Sequence, residues 1–264
     1  MTGPLCDALV LAGQRGAVDP LASAHGLALK ALLPVAGTPM LHRVVAVLQA
    51  SPLVGRITIA GDTAKLAAAD PRLAEMLDSG AVTGLPPEPG PSASVAKALA
   101  HQASGRPLLV TTADHPLLSA AMIETLVTRA PADAAATAGV VPASVIRKAY
   151  PDALRTYWRF ADDGYSGANL FLLRPPGAAT AVGVWQLIER HRKRPWRIVA
   201  RLGPGLLVRF VLRRLTLYDA LLALSKRVGV PLRAVAIHEA EAAIDVDKEA
   251  DLVLVESILR RRGA

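Results

Sequence analysis

A loop containing glycine and arginine stands near the start of the sequence, directly after a short apolar run. Gly13 and Gly16 lie in this loop with Arg15 between them, and Lys30 follows it. Because glycine has no Cβ, such a loop lets backbone N–H groups approach a polyphosphate. Arg15 and Lys30 could neutralise charge as pyrophosphate leaves. The loop is neither a P-loop nor a G-x-G-x-x-G turn, and it could also be a simple surface turn.

A single aspartate follows the most regular apolar run of the chain. Asp114 comes directly after residues 107–113 and precedes His115. Ligands of parallel α/β proteins bind at the carboxyl ends of strands, and both Gly13 and Asp114 fall at such ends. Asp114 could instead cap the next turn. None of the histidines has the spacing of metal ligands, so we interpret them, including His115, as structural or surface residues.

These residues need a sheet to bring them together, and the sequence predicts one. Strands alternate with helices along most of the chain, which is typical of βαβ units. The predicted fold class is α/β, with a Rossmann-like, mostly parallel sheet flanked by helices. Ser92 or Ser94 is expected to cap the helix after the proline-rich loop at 86–91. Predicted strands cover residues 7–12, 56–61, 81–83, 107–113, 134–141, 169–173 and 232–238; predicted helices begin at 39 and after 92, and cover 64–77, 119–129 and 248–262.

The last third of the chain has a different pattern. From about residue 178 to 230 the sequence is helical throughout, with breaks at Pro195 and at 203–205. We therefore predict one domain over residues 1–264, with a helical insertion at approximately 178–230.

A strongly basic segment lies inside this insertion. Residues 190–214 include nine basic and no acidic residues, although the whole chain has a net charge of only +8. Three interpretations stay open: a helical subdomain with its arginines in water, a lid over a phosphorylated acceptor, or peripheral contact with an anionic membrane or lipid phosphate. Nucleic acid is not expected as a partner, because no aromatic stacking platform accompanies the basic residues.

The composition describes a globular protein with a large core. Hydrophobic residues make up 52% of the chain and charged residues 20%, which excludes a disordered protein. Cys6 is the single cysteine, so no internal disulfide can form. The start of the sequence lacks the pattern of a signal peptide, and no run is long enough to span a membrane. We expect a cytoplasmic protein, and a homodimer stays open.

Two motifs taken together resemble a known group of enzymes. The chain contains L-A-G-x-R-G at residues 11–16, a lysine at 30, and L-L-P-V-A-G-x-P-M-L at residues 32–41. This combination resembles the MobA-like, GT-A-type nucleotidyltransferases, which include molybdenum-cofactor and sugar-1-phosphate nucleotidyltransferases. The resemblance covers the start to about Leu173, together with the last strand and helix.

The resemblance assigns a role to each matching residue. It implies that Arg15, Lys30 and Asp114 are catalytic, and that Gly167 and Asn169 line the acceptor pocket. It implies Mg²⁺ as cofactor, held by Asp114 and by Asp247, with Asp245 as the close alternative to Asp247. The implied nucleotide-binding residues are Leu11, Ala12, Gly13, Arg15, Gly16, Lys30, Gly61, Ser94 and Asp114.

General chemistry agrees with these implied roles. Mg²⁺ prefers one or two carboxylates together with phosphate oxygens and water, and it would align an α-phosphate for in-line attack. A phosphate nucleophile is already ionised at neutral pH and needs no general base. An alternative is that Asp245, Asp247 and Asp251 are solvated acids at a helix N-terminus.

Two functions from different classes follow. The first is transfer of a nucleoside monophosphate from an NTP to a sugar, polyol or molybdopterin-type phosphate, with release of pyrophosphate. The second is a non-catalytic nucleotide-binding regulator of the same fold, favoured by Asp19 in the altered loop. A glycosyltransferase would place Asp-x-Asp at the central strand end, where this chain has Asp114, His115 and Pro116.

Overall fold

The computed structural model describes residues 3–14, 16, 19–102, 104–153, 155–191 and 203–263. The strands are β1 Cys6–Leu11, β2 Pro34–Val35, β3 Thr38–Pro39, β4 Val54–Ala60, β5 Thr83–Leu85, β6 Leu108–Thr112, β7 Ala136–Pro142, β8 Trp158–Arg159, β9 Gly164–Leu173 and β10 Leu232–Ala236. The helices are α1 Pro20–Ala24, α2 Met40–Ala50, α3 Thr63–Ala69, α4 Pro71–Asp78, α5 Pro91–His101, α6 Ala120–Arg129, α7 Ala143–Ala149, α8 Ala178–His191, α9 Pro204–Val211, α10 Leu217–Val228 and α11 Glu249–Arg261.

A mostly parallel sheet forms the centre of the fold, as the sequence predicts. Its order is β5-β4-β1-β6-β9-β7-β10, and β8 pairs with β9 outside this path. Strand β9 is antiparallel to β6, β7 and β8, whereas the other neighbours are parallel. Leu11 lies beside both Ala60 and Thr112 in the sheet register. The parallel strands β1, β4 and β6 therefore end together at one edge.

Helices cover both faces of the sheet because the strand side chains alternate between them. Ala8 and Val10 of β1 pack in the cluster that holds the apolar residues of α2 and α6. Leu9, between them, packs in the cluster that holds residues of α5 and α8. The terminal helix α11 packs separately, against Leu33, Val35 and other residues around β2 and β3.

The helix predicted over residues 64–77 is two helices in the structure, and that prediction is wrong in this respect. Helix α3 ends before Asp70, and α4 begins at Pro71. Proline has no backbone N–H to continue a helix but fits its first turn. The Asp70 carboxylate accepts a bond from the Leu73 N–H at 2.9 Å and contacts His42 Nε2 at 2.7 Å. Asp70 thus starts α4 and ties it to α2.

A short hairpin, absent from the sequence prediction, connects the loop region to α2. Ala36 and Gly37, between β2 and β3, have φ values of 47° and 76°, as a tight two-residue hairpin turn requires. The Arg43 guanidinium of α2 donates to the carbonyls of Val35 and Ala36 at 3.0 and 3.3 Å. Glu256 of α11 accepts from the Ala36 N–H at 3.3 Å. The hairpin is thereby fixed to both helices.

The region predicted as a helical insertion contains α8, α9 and α10, which lie on either side of residues 192–202. These eleven residues, with much of the basic segment, lie outside the described part of the chain. Within the described residues, no helix combines the length and apolar character needed to cross a membrane. The boundary of the insertion stays a prediction.

Near the start of β1, at the opposite end of that strand from Gly13, a buried carboxylate holds two other segments of the chain, one at residue 56 and one at residues 102 and 104. Asp7 accepts hydrogen bonds from Ser104 Oγ at 2.6 Å, Gln102 Nε2 at 3.3 Å and the Arg56 N–H at 3.1 Å. Its side chain is only 8% exposed. Burial alone would raise the pKa of Asp7, but the bonds from Ser104, Gln102 and Arg56 together with the charge of Arg106 hold it below its ordinary value.

We expect an Asp7→Asn variant to lose about 2 kcal/mol of the free energy of unfolding at neutral pH, because three hydrogen-bond donors lose the charge of their buried acceptor. A lowered folded-state pKa stabilises the protein above the ordinary aspartate pKa, and this stabilisation disappears as the pH falls. The difference between wild type and variant should therefore shrink in acid. Urea unfolding at several pH values measures it. Asp133→Asn is the control, since Asp133 forms one exposed pair with Arg233 and should change stability little. Equal losses in both variants would contradict the prediction.

Candidate active site

The ammonium group of Lys30 joins two aspartates that are far apart in sequence. Lys30 Nζ lies 2.7 Å from Asp114 Oδ2 and 2.6 Å from Asp247 Oδ1. Burial alone would lower the pKa of Lys30, but the charges and hydrogen bonds of Asp114 and Asp247 raise it above its ordinary value. Lys30 therefore carries a positive charge at neutral pH.

Backbone pairing explains why these residues meet. Asp114 follows β6, and the Ala113 N–H donates to the Leu11 carbonyl at 3.0 Å, which extends the β6–β1 ladder to the loop. The Val246 N–H donates to the Asp114 carbonyl at 2.9 Å. This last bond holds the segment 245–247 against the end of β6 and brings the Asp247 carboxylate to the Lys30 ammonium.

The glycine loop begins where the β1 ladder ends. The Ala12 N–H donates to the Ala60 carbonyl at 2.8 Å, so it is used within the sheet, and the loop proper starts at Gly13. A Cβ at Gly13 would meet no atom within 4 Å, which leaves room for a ligand against the backbone. The Gln14 side chain accepts a bond from the Lys30 N–H at 3.2 Å and connects this loop to the lysine. Arg15 lies outside the described residues.

Gly61 contacts the same loop from the end of β4. A Cβ at Gly61 would lie 3.0 Å from the Ala12 carbonyl oxygen and 3.4 Å from the Ala12 Cβ. The predicted nucleotide-binding residues Leu11, Ala12 and Gly61 therefore lie close together, at the neighbouring ends of β1 and β4. Gly16, with φ of 83°, takes a conformation that favours glycine.

The structure corrects the expectation that Ser92 or Ser94 caps α5. Gly90 is the N-cap, and Pro91 occupies the first turn, where its missing N–H has no consequence. Ser92 Oγ instead donates to Glu189 Oε2 of α8 at 2.8 Å. Ser94 is buried within α5, and its N–H donates to the Gly90 carbonyl at 3.1 Å.

Asp245 has a different environment from Asp247, although only one residue separates them. Arg155 NH1 lies 2.8 Å from Asp245 Oδ1, and Asn169 Nδ2 donates to Asp245 Oδ2 at 3.3 Å. Burial, followed by the nearby charges of Asp247 and Asp114, raises the pKa of Asp245. The Asp247 side chain, by contrast, is 67% exposed.

Asn169 reaches Asp245 because β9 contains a bulge. The register with β7 shifts between Ala138, which pairs with Phe171, and Val140, which pairs with Gly167. Asn169 lies in the extra length of β9 and has φ of 48°, a region that asparagine adopts more readily than most residues. Bulges of this kind redirect side chains next to functional sites. Gly167 is exposed, and a Cβ there would meet no atom within 4 Å.

Arg155 and Asp251 complete the site, and the sequence reasoning missed both contributions. Arg155 NH2 lies 2.9 Å from Asp251 Oδ1, and both side chains are at most 9% exposed. Asp251 Oδ2 accepts bonds from the N–H groups of Asp247 and Lys248, both at 3.2 Å. Asp251 thus fixes the backbone of the residue that reaches Lys30. Its place in the first turn of the last helix was a detectable capping signal, whereas Arg155 has no motif around it.

Among the residues that the structure describes, the site carries an excess of negative charge. Four carboxylates (Asp114, Asp245, Asp247 and Asp251) are paired with two cations, Lys30 and Arg155. His115 adds none, because burial lowers its pKa to about 4. No cluster of three or more histidine, cysteine, aspartate or glutamate side chains suited to a metal occurs among the residues that the structure describes.

Comparisons with known proteins agree with this fold. The chain is similar to a hypothetical transferase from Thermus thermophilus, with a TM-score of 0.76 and 30% identity over 95% of this chain and 100% of that chain. It is also similar in fold to 4-diphosphocytidyl-2C-methyl-D-erythritol synthase from Anaerococcus prevotii (TM-score 0.57, 10% identity, 98% of this chain and 100% of that one). A CMP:2-keto-3-deoxy-manno-octonic acid synthetase complexed with CTP has a TM-score of 0.55 at 13% identity, over 99% and 100% of the two chains.

The family comparison is more direct. A search of curated protein sequences gives no match. The family model described as a MobA-like NTP transferase domain, however, matches residues 8–229. That match includes Lys30, Asp114 and Asn169, and it covers most of the chain. The protein belongs to the MobA-like NTP transferase family of nucleotidyltransferases.

Proposed function

We propose that the protein transfers a nucleoside monophosphate from an NTP to a phosphorylated small-molecule acceptor, releases pyrophosphate, and uses Mg²⁺. The observation that carries this proposal is the meeting of Asp114 and Asp247 at Lys30 Nζ, at the edge where β1 and β6 end. The sheet edge is where α/β proteins bind ligands, and family membership supplies the class of reaction.

The residues present fit a divalent cation. Two carboxylates converge on one point, and this is the protein contribution that Mg²⁺ ordinarily requires alongside phosphate oxygens and water. The excess negative charge of the site also favours a dication. Asp114 and Asp247 would hold the ion, because the Asp245 oxygens already bind Arg155 and Asn169. When bound, Mg²⁺ supplies charge neutralisation and orientation of the α-phosphate.

Lys30 and the glycine loop would bind the triphosphate. Lys30 keeps its proton at neutral pH, so Nζ can stabilise the negative charge that develops on pyrophosphate as it leaves. The loop from Gly13 to Gly16 offers backbone N–H groups to the phosphates, and Arg15 would add a second cation. Leu11, Ala12, Gly61 and Ser94 belong to the proposed nucleotide side of the site.

The acceptor would bind beside Asn169. The Asn169 amide is oriented by its bond to Asp245, and open space above Gly167 leaves room for a ligand. The acceptor phosphate is ionised at neutral pH and attacks without a general base. His115 is buried and neutral, which agrees with a mechanism in which this histidine is not a general base.

Pyrophosphate release tests the proposal. Each of the four NTPs is incubated with Mg²⁺ and a panel of sugar, polyol and pterin-type phosphates, with Asp114→Ala as the inactive control. Release with one NTP and one acceptor, abolished in the variant, is the expected result. Mg²⁺-dependent NTP binding without release from any pair would leave two explanations, an acceptor outside the panel or a non-catalytic nucleotide-binding regulator. Absence of NTP binding would refute both.

We expect Gly61→Ala to weaken NTP binding by about tenfold, since the new methyl group would press on the Ala12 carbonyl and displace the loop. Titration with the preferred NTP measures the change in Kd. Gly183→Ala is the matched control, because a Cβ at Gly183 would meet no atom within 4 Å. An unchanged Kd in Gly61→Ala would show that the loop tolerates the displacement.

A further inference from the structure

Helix α9 exposes an apolar face next to basic residues. Val208, Val211 and Leu212 share one side of the helix by their spacing, and Tyr218 follows at the start of α10; each is more than half exposed. We call Val208, Val211 and Leu212 the α9 surface. Among the described residues, six large hydrophobic side chains are exposed, and four of them lie within residues 208–218.

The α9 surface is additional to the face with which the helix packs on the protein. Phe210 contacts Phe160, with ring centroids 6.2 Å apart, and Leu215 just beyond the helix is fully buried. Helix α9 is therefore apolar on its inner and its outer side. A helix of this kind ordinarily has a partner on the outer side.

The charges around the α9 surface restrict what that partner can be. Arg213 and Arg214, which follow the helix, are exposed, and Arg209 pairs with Asp219. In sequence the whole segment 190–214 contains no acidic residue. The partner must then combine negative charge with a region that accepts aliphatic side chains.

We propose that the α9 surface docks on an anionic phospholipid bilayer, with its aliphatic residues at the headgroup boundary and Arg213 and Arg214 among the lipid phosphates. Basic helices with an apolar face bind such surfaces, and each added arginine strengthens the attraction. A second copy of the chain fits less well. A twofold contact would bring the basic segments of the two copies together, and their like charges would repel each other. Single-stranded nucleic acid fits less well, because the valine and leucine side chains of the α9 surface give its bases no stacking platform.

Vesicle co-sedimentation of the full chain tests the proposal. Vesicles of mixed phosphatidylcholine and phosphatidylglycerol are compared with vesicles of phosphatidylcholine alone. Wild type should bind the anionic vesicles at least about tenfold more tightly, as electrostatic attraction predicts. The pair Val211→Asp and Leu212→Asp, combined, should reduce that binding by about tenfold or more. Val253→Asp, at an exposed valine on α11, is the matched control and should bind like wild type.

A second pair of variants separates charge from apolar contact. Arg213→Gln with Arg214→Gln should weaken binding to anionic vesicles, whereas Arg260→Gln with Arg261→Gln, at exposed arginines of α11, should not. Circular dichroism confirms that each variant is folded. Equal binding to both vesicle types, or no binding by wild type, would overturn the proposal. Self-association that Val211→Asp abolishes, without vesicle binding, would assign the surface to a second copy instead.

Discussion

We expect an Asp114→Asn variant to lose about a thousandfold in turnover, because a site that concentrates charge on phosphate oxygens depends on each charged group. Asparagine keeps the shape of the side chain but removes the carboxylate that faces Lys30 at 2.7 Å. The backbone carbonyl of Asp114, which accepts the Val246 N–H, is unchanged. The fold should therefore survive while turnover falls, and steady-state pyrophosphate release measures the loss.

Two comparisons sharpen this prediction. Asp133→Asn, at an exposed aspartate outside the site, should leave turnover unchanged. Asp247→Asn should raise the Mg²⁺ concentration needed for half-maximal turnover, whereas Asp245→Asn should leave that concentration near the wild-type value because Asp245 is held by Arg155 and Asn169. An Asp114→Asn enzyme with nearly full turnover would exclude Asp114 from the proposed metal site.

The central sheet was predictable from sequence because its strands are locally recognisable. Most are short apolar runs that end at glycine, aspartate or proline, and the helices between runs predict a mostly parallel order. The residues Lys30, Asp114 and Asp247 could be selected from motifs, and the structure brings these three together. The catalytic roles of Lys30 and Asp114 and the metal-binding roles of Asp114 and Asp247 stay predictions.

Other parts of the site and of the fold depend on contacts that the local sequence does not encode. Strand β9 is antiparallel within a mostly parallel sheet, and the bulge at Asn169 arises from the register of β9 against β7. Strands β2 and β3 have two residues each, too few to show a period. The hairpin they form depends on Arg43 and on Glu256, which is distant in the chain.

The roles of polar residues at helix starts were predicted wrongly where the same residue type occurs in two different environments. Ser92 and Ser94 are typical capping residues, yet Pro91 starts α5 ahead of them. Asp251 resembled a solvated acid near a helix start, yet it is buried by Arg155. In the first case the backbone geometry of Pro91 sets the start of the helix. In the second case the ion pair with Arg155 allows the aspartate to be buried.

We expect Arg155→Ala to cause the largest loss of stability among these variants. Removing one partner of a buried ion pair typically lowers the free energy of unfolding by roughly 3–5 kcal/mol. Arg155 serves two carboxylates, Asp245 and Asp251, and its side chain is only 9% exposed. Arg155→Lys should recover part of this loss but not all, because lysine lacks the planar fork whose NH1 and NH2 atoms bind Asp245 and Asp251 separately. Arg147→Ala, at an exposed arginine over the Tyr157 ring, is the control and should lose about 1 kcal/mol or less.

Double-mutant cycles then separate stability from positioning. If Arg155 acts by neutralising Asp245 and Asp251, combining Arg155→Ala with Asp245→Asn should cost less than the two single changes together, by about 1 kcal/mol or more. Positioning predicts a further effect: Asp251 holds the N–H groups of Asp247 and Lys248, so loss of Arg155 should loosen the residue proposed to bind Mg²⁺. The Mg²⁺ requirement of Arg155→Ala should rise at temperatures where the variant is fully folded. Destabilisation with an unaltered Mg²⁺ requirement would make Arg155 a structural residue only.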